Sequence, residues 1–174
     1  MSDAKPSGPP NILYIAHTAK GFVSFHLIAP SPHPSLNLST HTPTTISPVH
    51  NPIKIGMPID NLSVDSKGDV FVAGFPNTIG VLKAMKNPDK ETDVASSAFR
   101  IRKVIVRDEE AEKLLGLEEG KGGRMEHVVD KVIEDREGKV LPAASTVVHD
   151  VKTGNLWLSG FASKFITVCE PRPW

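Results

Sequence analysis

The sequence predicts an all-β fold: an incomplete β-propeller of about two to three blades with one short inserted helix. Three observations predict it. The segment GDVFVAGF (68–75) is matched position by position by GNLWLSGF (154–161), and NILYIAH (11–17) is a shorter third copy. Each holds an aliphatic–aromatic–aliphatic–small core, LYIA, VFVA or LWLS, read as an inner strand of a blade. Most of the remaining chain alternates apolar and polar residues in short runs bounded by Gly, Asn, Asp or Pro, the pattern of antiparallel strands. Finally, prolines crowd the first third, from Pro6 to Pro58, at a density that no helix tolerates.

Residues 1–10 read as a flexible leader. ILYIAHTAKGFVSFHLI (12–28) is a hairpin, with strands over 12–16 and 22–28 and a turn at Ala19-Lys20-Gly21. Residues 29–58 hold Pro30, Pro32, Pro34, Pro43, Pro48, Pro52 and Pro58, and are expected to be a long irregular surface connection. Next come strands over 60–65, 69–74 and 79–84, the first two joined through Ser66-Lys67-Gly68-Asp69, and another strand over 98–106. Within the insertion 107–123, RDEEAEKLLGLEEGKGG, a helix is expected over 107–119: acids fill its first turn, Glu109 and Lys113 lie four apart, and Gly120, Gly122 and Gly123 end it. HVVDKVIEDREGKVLP predicts a hairpin about Asp135-Arg136-Glu137-Gly138, with strands over 127–134 and 139–149. Strands over 155–161 and 164–169 close the chain.

Composition narrows the function. Twenty Lys and Arg balance twenty Asp and Glu. No net field therefore draws the chain to nucleic acid or to anionic lipid. No apolar run has the length of a transmembrane helix. The first residues lack the basic start and apolar centre of a secretory signal, so the compartment is left open. Cys169 is the single cysteine and reads as a buried thiol. His33, His41 and His50 lack the spacing of a zinc site, and no nucleophile elbow or dinucleotide fingerprint occurs. Asn37 and Asn61 begin N-x-Ser sequons, which matter only in a secreted protein.

IDNLSVD (59–65) poses the sharper question, because an apolar strand is entered through an acid and an amide, Asp60 and Asn61. By itself that pair reads as a turn or cap. In context, IDNLSVDSKGDVFVAGFPN (59–77) and GKVLPAASTVVHDVKTGNLWLSGFASKFITVCE (138–170) resemble the paraoxonase/arylesterase family, and ILYIAHTAKGFVSFHL fits the family's preceding segment. The resemblance spans residues 11 to 170 and is weakest over 29–53 and 85–123. It implies a six-bladed propeller whose central tunnel holds calcium and which hydrolyses lactones, aryl esters and, in some members, phosphotriesters. By the same resemblance, Asp60 and Asn61 match two ligands of the catalytic calcium, an ion that prefers carboxylate and amide oxygens and polarises the ester carbonyl. His17 is a candidate to face the tunnel, and Phe75 and Thr146 match pocket positions.

The sequence also departs from the family. A ligand Glu, two further ligand Asn residues and a catalytic His pair have no counterpart here, so no catalytic residue is assigned. Phe75 stands where family members often carry His. Cys169 matches a cysteine whose family partner is missing. The chain is expected to be the truncated C-terminal part of such a propeller, inactive alone, and open to self-association through its strand edges. Two alternatives remain: a non-enzymatic remnant or interaction module, and a propeller of the gluconolactonase or strictosidine-synthase type.

Overall fold

A computed structural model describes residues 11–30, 44–87, 93–107 and 123–171. Among these residues the strands form three separate antiparallel sheets, with one short α-helix. The expected mostly β class therefore holds, as three separate sheets rather than a closed ring. Sheet A contains β1 (Asn11–His17), β2 (Phe22–Pro30), β3 (Thr44–Pro48) and β4 (Ile53–Lys54), in the order β1-β2-β3 with β4 also on β2. Sheet B is a meander of β5 (Ile59–Val64), β6 (Val70–Gly74), β7 (Ser96–Arg107) and β8 (Gly123–Asp135). Sheet C contains β9 (Ala144–His149), β10 (Leu156–Gly160) and β11 (Thr167–Cys169), with β10 in the middle.

The sheets stack A–B–C through two apolar layers. Between A and B lie Tyr14, Val23 and Phe25 from one side and Val70, Val72, Phe99 and Ile101 from the other. Between B and C lie Phe71 and Ala98 against Leu141, Val147, Leu156 and Leu158. This explains why VFVAG does not alternate. β6 is covered on both faces, and every one of its residues is buried.

The repeated motif falls on β1, β6 and β10, but not on the leading strand of each sheet. β5 precedes β6 and β9 precedes β10 at the sheet edge, so the expected inner strand is the second strand in sheets B and C. In sheet A the copy is itself the edge strand β1. Period-two alternation locates a strand and its faces, yet does not locate it within a sheet.

Three local expectations are corrected. Residues 79–84 are not a strand: α1 spans Thr78–Lys86. Asn77 caps it, its Oδ1 accepting from the Gly80 N–H at 2.9 Å. Val81 and Ala84 then face Val94, Ala143 and Ala162. Ile79 and Val81 suggested a strand by propensity, and the cap with its inward stripe outweighs that preference. Residues 127–142 are not a hairpin either, since β8 and β9 belong to different sheets. The Asp135 carboxylate accepts from the N–H groups of Glu137, Gly138, Val140 and Leu141. This wraps 136–143 into a loop, so the second strand begins at 144 rather than 139. Third, the Pro-rich 29–58 is not wholly irregular. Pro30 ends β2, Pro48 ends β3, and both β3 and β4 pair with β2, in keeping with proline's confinement to strand ends and sheet margins.

The leader 1–10 and the interior of the expected 107–119 helix lie outside the described residues. At its margins, Arg107 pairs with Gly123, so β7 and β8 are neighbours whatever joins them.

Candidate functional site

The leading strands β5 and β9 lie side by side, zipped by side chains. Asn61 Nδ2 donates to Ser145 O at 3.2 Å and to Thr146 Oγ1 at 3.1 Å. Ser63 Oγ donates to Val147 O at 2.7 Å. Asp65 Oδ2 meets His149 Nδ1 at 2.8 Å. Residue number rises along both strands from contact to contact, so β5 and β9 run parallel. Asn61 and Ser63 in β5 and Asp65 just after it are alternate positions, hence one face of the strand.

Asp60 and Asn61 sit where this strand is irregular. Ile59 pairs with Gly74 and Leu62 with Val72, so Asp60 and Asn61 together oppose Ala73 in a β-bulge. Sheet C repeats the device. Ala144 pairs with Gly160 and Thr146 with Ser159, leaving Ser145 as the extra residue. In the register of the repeat, Asp60-Asn61 corresponds to Ser145-Thr146, and the Asn61 amide joins the two bulges. Bulges redirect side chains at sheet margins, and here they bring two expected site residues, Asn61 and Thr146, into contact.

The Asn61 amide orientation follows from its partner. A carbonyl oxygen only accepts, so Nδ2 must face Ser145 O. Oδ1 is thereby left as the acceptor end of the amide, the atom that could ligate a cation. The neighbouring Asp60 is half-buried, and burial raises its carboxyl pKa. A desolvated carboxylate of this kind gains from a nearby positive charge. Asp60 and Asn61 thus suit part of a calcium site. Calcium takes ~6–8 oxygens. Among the described residues no cluster of three or more His, Cys, Asp or Glu gathers to hold a metal. The pair could offer at most part of such a coordination sphere, and no catalytic step follows from it.

Phe75 is buried directly beyond β6, and its N–H donates to Pro58 O at 2.8 Å, next to the start of β5. His17 takes another direction. It pairs with Phe22, and alternation turns it away from the core face that carries Val23 and Phe25. There its Nε2 lies 2.8 Å from Ser24 Oγ, which also contacts His26 Nε2 at 2.9 Å. The structure therefore brings together Asn61 and Thr146, with Asp60 alongside, and engages His17 on the opposite face of sheet A.

Sequence reasoning missed one ionisable pair, Asp65 and His149. Asp65 is deeply buried, its side chain 1% exposed. Burial alone would raise its carboxyl pKa. Hydrogen bonds from His149 and from the Asp69 and Lys67 N–H groups outweigh that and lower it. His149 leans on the Phe71 ring and borders a cleft of about 900 Å3 between sheets B and C, which Arg100, Glu134 and Cys169 also line. Asp-Ser-Lys-Gly after a strand signals a turn, and that signal hid the role of Asp65 as a buried acceptor.

A Cys–His couple does not form in this cleft. His149 and Cys169 both pair with Leu156, on opposite sides of β10. Two strand spacings, ~10 Å, separate their backbones. Burial also raises the Cys169 thiol, contrary to what an activated nucleophile needs. Asp65–His149 accordingly orients β5 against β9.

No family model matches the chain, and no curated protein matches it. No helix among the described residues is long and apolar enough to cross a membrane.

Proposed function

We propose that the chain carries part of a propeller of the calcium-dependent esterase and lactonase lineage, resembling paraoxonases and arylesterases, in which Asp60 and Asn61 supply two oxygen ligands to calcium. The joined bulges carry this reading. Two consecutive sheets present equivalent irregular positions at the margin of adjacent parallel strands, with one amide bridging them. In a tunnel lined by leading strands, these consecutive residues of the bulge would offer a cation the Asp60 carboxylate and the Asn61 Oδ1. In the whole assembly calcium would polarise an aryl ester or lactone carbonyl. With only these two ligands recognisable, the chain by itself is expected to have negligible hydrolytic activity.

The test has two arms. Terbium(III), a luminescent stand-in for calcium, binds the purified chain weakly, and Asp60→Ala removes that binding. Identical titrations of wild type and variant would overturn the ligand assignment. In parallel, an aryl ester and an aliphatic lactone are assayed with millimolar calcium and with a chelator. Turnover that the chelator abolishes and Asp60→Ala removes would overturn the expected inactivity.

A second reading, a non-enzymatic interaction module, is favoured by the exposed apolar side chains of sheet C, Trp157 and Val168 among them. A gluconolactonase- or strictosidine-synthase-type propeller predicts the same stacking with other pocket residues. Activity on neither ester nor lactone, together with an unchanged terbium titration, would select the interaction module.

A further inference from the structure

The repeated motif gives the stack a direction. Tyr14, Phe71 and Trp157 are the aromatic positions of its three copies. Tyr14 points from sheet A into the layer shared with B, where it meets Phe25 edge to face at 5.0 Å between centroids. Phe71 points from sheet B into the layer shared with C, and is 2% exposed. Trp157 points out of sheet C into solvent and is 45% exposed. The flanking aliphatics point the opposite way. Val70 and Val72 face sheet A, and Leu156 and Leu158 face sheet B. By the same alternation Leu13 and Ile15 face away from sheet B, out of the other end of the stack.

Each end is therefore one half of a contact that already occurs twice within the chain. On the C end, Val148 and Val168 flank Trp157 directly, as its register partners, and both are exposed. On the A end, register places Phe22, Ile28 and Ile46 beside Leu13 and Ile15, and Ile46 is 57% exposed. Among the described strand residues, the C face carries no Lys, Arg, Asp or Glu, and the A face carries one, Lys54, on the two-residue β4 opposite Phe22. Solvated faces of antiparallel sheets ordinarily carry more. The chain does not lack charge, since 23% of its residues are charged. The polar group at the A end, His17–Ser24–His26, is already hydrogen-bonded within itself, which lowers the cost of covering it.

We propose that two copies of this chain associate head to tail, the Trp157 face of sheet C in one copy packing on the Leu13–Ile15 face of sheet A in the other. The contact continues the A–B and B–C layers in the same direction. It is a heterologous, face-to-face interface rather than edge pairing of strands. It is independent of the calcium reading.

Sedimentation of the full chain over a wide concentration range tests it. Wild type is expected above monomer mass. Trp157→Glu and Ile15→Glu, spoiling opposite faces, each weaken association by about thirtyfold, as the loss of a central interface anchor does. Circular dichroism and thermal melting check folding, and Ile46→Glu, at an exposed site on the same face as Ile15, serves if Ile15→Glu unfolds. Mixing the two single variants should restore a one-to-one dimer, because one intact C face then meets one intact A face. Three results would overturn the proposal: a wild type that stays monomeric, dimerisation lost in Trp157→Glu but retained in both A-face variants, or no rescue on mixing. The second would mean that sheet C meets itself.

Discussion

Phe75 and Phe161 meet with ring centroids 6.2 Å apart and planes inclined at 70°. They are the last residues of GDVFVAGF and GNLWLSGF, so equivalent members of the repeat touch across sheets B and C. Edge-to-face geometry suits the aromatic quadrupole. Their burial differs, with Phe75 at 4% exposure and Phe161 at 40%.

That asymmetry sets the first prediction. Phe75→Ala should destabilise the protein by about 3 kcal/mol, the cost of a cavity under a buried ring. Phe161→Ala should cost about 1 kcal/mol, since the ring is partly solvated already. Urea unfolding of both variants measures this, and equal losses would contradict it.

Asp60 gives a pH-dependent prediction. Burial raises its folded-state pKa above the ordinary carboxylate value. Over the interval between these values the folded protein holds a proton that the unfolded chain has lost. Stability from this group is thus greatest below the ordinary value, ~3.9, and falls as pH rises through the raised one. At neutral pH without metal, Asp60→Asn should raise the urea midpoint. The gain should vanish below about pH 3.9, where the wild-type carboxyl is protonated in both states. A variant less stable at neutral pH would contradict this.

Asp65 has the opposite sign. Its folded-state pKa is lowered, against the effect of burial, by His149 and by two backbone N–H donors. Its contribution is present above the ordinary carboxylate value and is lost as pH falls through the depressed one. Asp65→Asn should therefore lower stability at neutral pH and flatten the acid limb of a stability-versus-pH curve. Thermal melts of both proteins down that limb make the comparison, and parallel curves would sink the assignment.

Asp135 organises the loop that separates sheets B and C. Asp135→Ala removes the acceptor for the Leu141 N–H, and Leu141 itself is 3% exposed. The expected loss is about 1–2 kcal/mol, after allowance for the loop's exposure. Amide exchange should accelerate at Gly138, Val140 and Leu141. Unchanged exchange there would show that the carboxylate does not hold the loop.

The sequence by itself determined most of the strands and their faces. The aliphatic–aromatic–aliphatic triplets show where Tyr14, Phe71 and Trp157 lie relative to their neighbours, because side chains alternate with period two in any strand. The hairpin turning at Gly21 was equally legible: the residue adopts φ +64, a conformation glycine reaches without strain. Asp60-Asn61 stood out as a polar entry to an apolar strand, while Thr146 came only from the family resemblance, as a pocket position. Tertiary structure alone decided their relation, because Asn61 meets Thr146 from 85 residues away and only the parallel approach of β5 and β9 brings them together. The same long-range packing made α1 of residues whose propensity favours strand, since Val81 and Ala84 gain a buried surface only as a helix beside Val94 and Ala143. It also made a hydrogen-bonded anchor of Asp65, whose partner His149 lies 84 residues away. Local pattern fixes what a segment can be, whereas burial and distant partners fix which neighbours it keeps.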